Sequence, residues 1–138
     1  MTLQQFIHFD QYVRCFTFGK NDIVPVAYDP HQRKYNVEHE YLSAELGARI
    51  VRDAQTINNA LGYEMNTIEF AVQDGVPYAI DFLNPAPDFE RDRITPHYFE
   101  IAVQKMAELA IDRALHGHPQ HSWPQWAKMT GLSTAAPV

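Results

Sequence analysis

From Asn66 to Pro87 the chain reads NTIEFAVQDGVPYAIDFLNPAP, in which apolar positions alternate with small or acidic ones on either side of a Gln-Asp-Gly turn. This is the pattern of a β-hairpin. If Gln73, Asp74 and Gly75 form a three-residue loop with Gly75 at positive φ, position 72 pairs with 76 and position 69 with 79. Because strand side chains alternate, Ile68, Phe70, Val72, Val76, Tyr78, Ile80 and Phe82 are expected on one face, and Thr67, Glu69, Ala71, Pro77, Ala79 and Asp81 on the other. The first face is suited to a core and the second is small and acidic.

Taken in order, residues 3–8 (LQQFIH) begin as a strand almost at once, an onset expected of a chain cut from a longer one. Two further strands follow, Tyr12 to Gly19 and Asp22 to Asp29, about the turn Gly19, Lys20, Asn21, with Pro25 marking a sheet edge or a point without a ladder bond. Residues 30–41 are polar and without period, so they read as a surface loop. Ser43 caps a helix reaching about Leu61, whose apolar positions Leu46, Ile50, Ala54, Ile57 and Leu61 recur at helical spacing, and Gly62 ends it. Its polar side carries Arg49, Arg52, Asp53 and Asn58. Beyond the hairpin, residues 88–93 form a charged loop. Thr95 and Pro96 then start a second helix, with Ile94 and Phe99 spaced as a staple. Its buried stripe is read as Phe99, Val103, Met106 and Ala110, joined by Ala102 and Leu109, and Gly117 stops it after about Leu115. The elements predict an α+β fold: an antiparallel sheet with two helices packed on one face over residues 1–117, followed by an extended tail, residues 118–138.

The 138 residues, 46% hydrophobic and 20% charged, supply one ordinary core. A net charge of -6 argues against nucleic acid or an anionic membrane as the main partner, leaving self-association open. Cys15 is the only cysteine, so no internal disulfide forms. There is neither a leader pattern nor a run of about 18 apolar residues, and a cytoplasmic protein is expected. In the tail, His116, His118 and His121 lie beside Trp123 and Trp126. Without Cys or acid partners they read as an extended segment packed over the domain rather than a metal site.

The acidic face carries the candidate chemistry. In the expected register Glu69 and Asp81 lie on a diagonal of neighbouring strands, roughly 6 to 8 Å apart at Cβ. Two negative charges about 6 Å apart repel by about 3 kcal/mol at an effective dielectric near 20. Solvent, protonation of one carboxyl group, or a bound cation can offset this. Asn84 adds a neutral oxygen, so Mg²⁺ or Mn²⁺ suits the set better than Zn²⁺. Arg14 shares a strand face with Tyr12, Phe16 and Phe18, a setting for ring stacking, a phosphate clamp or a structural ion pair. Cys15 faces the other way and reads as packing. Arg33 and Lys34 are either solvated or within reach of an anionic substrate, and His31 and His39 lack ligand partners at useful spacing.

In order, QQFIHFDQYVRCFTFG, ALGYEMNTIEFAVQDG and PYAIDFLNPAPD resemble three pieces of the ATP-grasp ligases, from the C-terminal part of their nucleotide-binding fold. The resemblance covers about residues 4 to 88, with the helix from Thr95 as the family's terminal helix. It implies that Gln5, Phe6 and Ile7 line the adenine, that Asp10 lies near the ribose and that Arg14 steadies the transferring phosphate. It also implies that Glu69, Asp81 and Asn84 hold Mg²⁺ (or Mn²⁺) against the phosphates of ATP. The implied activity joins a small carboxylate to an amine or thiol through an acyl phosphate. Two departures stand out. The family has one residue between the second acid and Asn, whereas Asp81 and Asn84 are separated by two, so a bulge is expected. The family also has an upstream subdomain whose lysines hold the phosphates, and these residues do not supply it, so the chain alone is expected to be an inactive fragment. A non-catalytic binding or structural module is the alternative.

Overall fold

The computed structural model describes residues 3–37 and 41–117. The tail, residues 118–138, and His39 lie outside them, together with what the sequence suggests there. The described chain runs β1 (Gln11–Phe18), β2 (Asp22–Asp29), β3 (Lys34–Asn36), α1 (Ala44–Leu61), β4 (Met65–Gln73), β5 (Val76–Asp81) and α2 (Arg91–His116). The fold is α+β: all five strands join one antiparallel sheet, in the order β3-β2-β1-β4-β5, accompanied by two helices.

β1 is central because it is apolar on both sides. Val13 and Cys15 pack with Ile68, Phe70 and Val72 of β4 against Ile50 and Ala54 of α1. On the opposite side, Phe16 and Phe18 pack with Val26 against Ile94, Tyr98 and Ala102 of α2. The helices therefore lie on opposite faces of the sheet and not together on one face as expected, α1 over Val13 and Cys15 and α2 over Phe16 and Phe18.

α1 forms as the sequence predicts. The Ser43 hydroxyl accepts the Leu46 N–H at 3.2 Å, and Gly62, at φ 72°, donates its N–H to Asn58 O. Asn58 departs from the expected polar side. It is buried, and its amide donates to Gly19 O at 2.9 Å and Tyr63 O at 3.0 Å, fastening the helix end to the β1–β2 turn.

Several expectations are corrected. Residues 3–9 form no strand; the Gln4 side chain donates to Ile80 O at 3.1 Å, so this segment passes beside β5 without laddering to it. The stretch read as loop over residues 30–41 contains β3, whose Tyr35 pairs with Tyr28. Helical structure starts at Arg91 within the expected charged loop and is interrupted at Thr95, whose φ of 72° and ψ of 153° are not helical. Thr95 Oγ1 is buried without a hydrogen-bond partner, so Thr95 does not cap. The stripe of α2 is rotated: Ile94, Tyr98 and Ala102 are buried, while Val103 and Met106 are 47% and 39% exposed. Tyr98 fixes that rotation by donating its hydroxyl to Asn36 O of β3 at 2.7 Å. Among the described residues no helix is long and apolar enough to cross a membrane.

Candidate functional site

The β4–β5 turn is one residue shorter than its sequence suggests. Gln73 pairs with Val76, and Asp74 and Gly75 form a two-residue turn at φ 52° and 73°, both left-handed as a type I′ turn demands. Paired residues share a face, so Ala71 and Tyr78 lie on the acidic side, while Pro77 and Ala79 join Val72 and Phe70 on the core side. This overturns the expected faces of Val76, Tyr78, Pro77 and Ala79. A bulge then intervenes: Phe70 pairs with Ala79, but Glu69 pairs with Asp81, leaving Ile80 as the extra residue. The acids end directly opposite one another, at a Cβ spacing of roughly 4.5 to 5.5 Å rather than on a diagonal.

Asn84 reaches the same face. Its amide nitrogen donates to Thr67 Oγ1 at 2.8 Å and its backbone N–H to Asn66 Oδ1 at 3.0 Å, while Asn66 Nδ2 donates to Phe82 O at 2.9 Å. Thr67 stands two residues before Glu69 and shares its side of β4. The amide oxygen of Asn84 is the end left over from this bond. Two carboxylates and an amide oxygen form an all-oxygen donor set that would suit a hard divalent cation. Among the described residues no three His, Cys, Asp or Glu side chains cluster, so Asn84 would have to complete any such set.

Arg14 pairs directly with Glu69 across β1 and β4. Its Nη2 donates to Glu69 Oε1 and its Nη1 to the Tyr35 hydroxyl, while Tyr12 donates its hydroxyl to Glu69 Oε2. The guanidinium carbon lies 4.4 Å from the centre of the Tyr28 ring and 5.7 Å from that of Tyr35. Ring stacking and an ion pair, posed above as alternatives, both occur. Burial pushes the Tyr12 phenol up, and the hydrogen bond to Glu69 and that carboxylate's charge push it further. Burial likewise raises Tyr35, against the opposing pull of Arg14. Arg14 is raised: burial works against its charge, but Tyr35 and Glu69 outweigh it. The result is a cation and an anion held by protonated phenols at a half-buried surface.

The other candidate residues fall into two groups. Gln5, Phe6 and Ile7 line a cavity of about 290 Å³ together with Gln4, Phe9 and Ile80. Ile80 is the bulged residue before Asp81, so this cavity adjoins the acidic pair. Asp10 is exposed, and its backbone N–H donates to Val72 O at 2.9 Å, where the chain bends into β1. Outside the site, Cys15 is fully buried and its thiol is pushed up by burial, which suits packing and not nucleophilic chemistry. His31 stacks on Phe9 at 5.9 Å.

Tyr28 and Tyr35 were not singled out by sequence reasoning, because Tyr35 belongs to a strand too short and polar to show a period. The signal was the turn-forming run between two tyrosines, which the pairing of Tyr28 with Tyr35 turns into the far wall of the Arg14 site.

No protein-family model matches the sequence, and comparison with curated proteins yields no match. Solved structures do match. The chain is similar to D-alanine–D-alanine ligase from Bacillus anthracis complexed with ATP, with a TM-score of 0.62 and 20% identity over 80% of this chain and 38% of that one. A second structure of D-alanine–D-alanine ligase from Bacillus anthracis gives a TM-score of 0.58 at 20% identity, over 80% of this chain and 40% of that one. The likeness establishes the fold, an α+β lobe shared with part of these ligases, and the chain spans about two fifths of their length.

Proposed function

We propose that this chain is the lobe of an ATP-dependent carboxylate–amine or carboxylate–thiol ligase that carries the adenine wall and the cation-binding acids. The observation that supports the reading is the bulge at Ile80, which sets Asp81 opposite Glu69 beside Arg14, with Asn84 on the same face. In this reading Gln5, Phe6 and Ile7 bind adenine, Asp10 lies near the ribose, and Glu69, Asp81 and Asn84 hold Mg²⁺ or Mn²⁺. When bound, that ion would neutralise phosphate charge.

The chain's own contribution is electrostatic and positional. Arg14 presents positive charge to the transferring phosphoryl group, where charge builds up as the acyl phosphate forms. Its half-burial strengthens that interaction by keeping water away. No protein nucleophile is required. Lysines that hold the phosphates, and the surfaces for the carboxylate and its amine or thiol acceptor, would come from the part of the ligase that this chain does not span. Turnover is therefore expected only with that part present, in a cytoplasmic setting where ATP is available.

Calorimetric titration with ATP tests the proposal. Mg²⁺-dependent ATP binding that is lost in Glu69→Ala is the expected result. ATP binding indifferent to both Mg²⁺ and Glu69 would contradict it. A second reading, a structural or binding module without catalysis, is favoured by the engagement of both Glu69 oxygens with Arg14 and Tyr12. It predicts that Glu69→Ala lowers stability and changes no ligand affinity.

A further inference from the structure

We propose that Tyr12 is a positioning residue for Glu69: its phenol fixes the carboxylate so that one oxygen serves Arg14 and the remaining lone pairs face Asp81. The inference rests on the cation-binding reading above and adds to it a residue that contacts neither the ion nor the nucleotide.

Three observations carry it. Tyr12 Oη donates to Glu69 Oε2, the oxygen that Arg14 does not use, so both ends of the carboxylate are held from β1. A carboxylate offers about four acceptor positions, so two such bonds orient it and still leave room for an ion. The Tyr12 ring is itself held. It lies 5.2 Å from Phe9 edge to face and 5.9 Å from Tyr28, so its hydroxyl cannot swing freely away from Glu69.

Arg14 provides the third observation. Its Nε is buried and has no hydrogen-bond partner, while its two terminal nitrogens go to Glu69 and Tyr35. An ion pair serving stability alone gains nothing from leaving a buried donor unpaired. The arrangement instead keeps the guanidinium aligned with a carboxylate that Tyr12 has already oriented. Loss of a partner that orients a metal-binding carboxylate typically weakens metal affinity by about 10- to 100-fold.

Tyr12→Phe retains the ring and removes only the donor. Mn²⁺ binding to the full chain, followed by the EPR signal of the free ion, is compared among wild type, Tyr12→Phe, Glu69→Gln and Tyr78→Phe. Tyr78 lies on the same face and is 42% exposed, and it takes no part in the site. The expected result is about a tenfold weaker Kd for Tyr12→Phe, near-complete loss for Glu69→Gln and no change for Tyr78→Phe, with matching circular dichroism throughout. Loss in Glu69→Gln with Tyr12→Phe at the wild-type Kd would overturn the positioning role and leave the cation reading standing. Absence of Mn²⁺ binding by wild type would overturn both.

Discussion

The two sides of β1 are built from neighbouring residues and obey different rules. Val13 and Cys15 are fully buried, and with Ile68, Phe70 and Val72 they form a dry layer under α1 in which shape and hydrocarbon decide everything. One position over, Tyr12 and Arg14 face Glu69 in a layer organised by hydrogen bonds to the two Glu69 oxygens. The dry layer tolerates a change of contact partner if volume is kept, whereas the polar layer depends on which residue stands opposite which. Stability and chemistry can therefore be altered separately on the two faces of a single strand.

Phe70→Ala gives the largest effect expected from this contrast. It empties a side chain that is 1% exposed at the centre of the dry layer and should cost about 3 to 5 kcal/mol, read as a shift in the urea midpoint. Glu69→Gln should cost clearly less, since Arg14 and Glu69 side chains are 22% and 13% exposed and water softens the loss. Equal costs would mean that the two layers are not distinct.

Alkaline pH gives a smaller effect, in which the buried thiol and the buried phenols enter at different onsets. Cys15, Tyr12 and Tyr35 all have folded-state values raised above their unfolded ones, chiefly through burial. Each therefore keeps its proton longer when folded. The stability this contributes is complete below the unfolded value and declines as pH rises above it. The decline should begin near pH 8.5 from Cys15 on the dry side, and steepen near pH 10 as the tyrosines join it. Urea midpoints of Cys15→Ala against pH should lack the first phase and keep the second. A first phase that survives this substitution would contradict the assignment.

How much could be read from the sequence follows from how local each signal is. α1 was legible to within a residue because Ser43, the stripe through Ile50 and Ala54, and Gly62 all act within one or two turns. α2 is apolar on two sides, so periodicity alone chose Phe99, Val103 and Met106, where the hydrogen bond from Tyr98 to Asn36 selects Ile94, Tyr98 and Ala102. The hairpin register was misjudged by one residue, since Gly75 fits a loop of either length and only the positive φ of Asp74 distinguishes them. The acids nevertheless share a face in both registers, because the bulge at Ile80 restores the parity that the shorter turn removes. The agreement between sequence and structure at Glu69 and Asp81 thus comes from two offsets that cancel. The bulge was anticipated, but between Asp81 and Asn84 and not before Asp81. Tyr28 and Tyr35 stayed hidden because their roles arise from pairing between strands.

The most direct measurement of the central claim is a crystal structure of the full chain with Mn²⁺ and a non-hydrolysable ATP analogue, with the ion located by anomalous scattering. The account predicts a peak between the Glu69 and Asp81 carboxylates, within bonding distance of the Asn84 side chain and on the Arg14 side of the sheet. A nucleotide bound with the ion elsewhere, or Glu69 still closed onto Arg14 and Tyr12 with no peak beside it, would contradict the account.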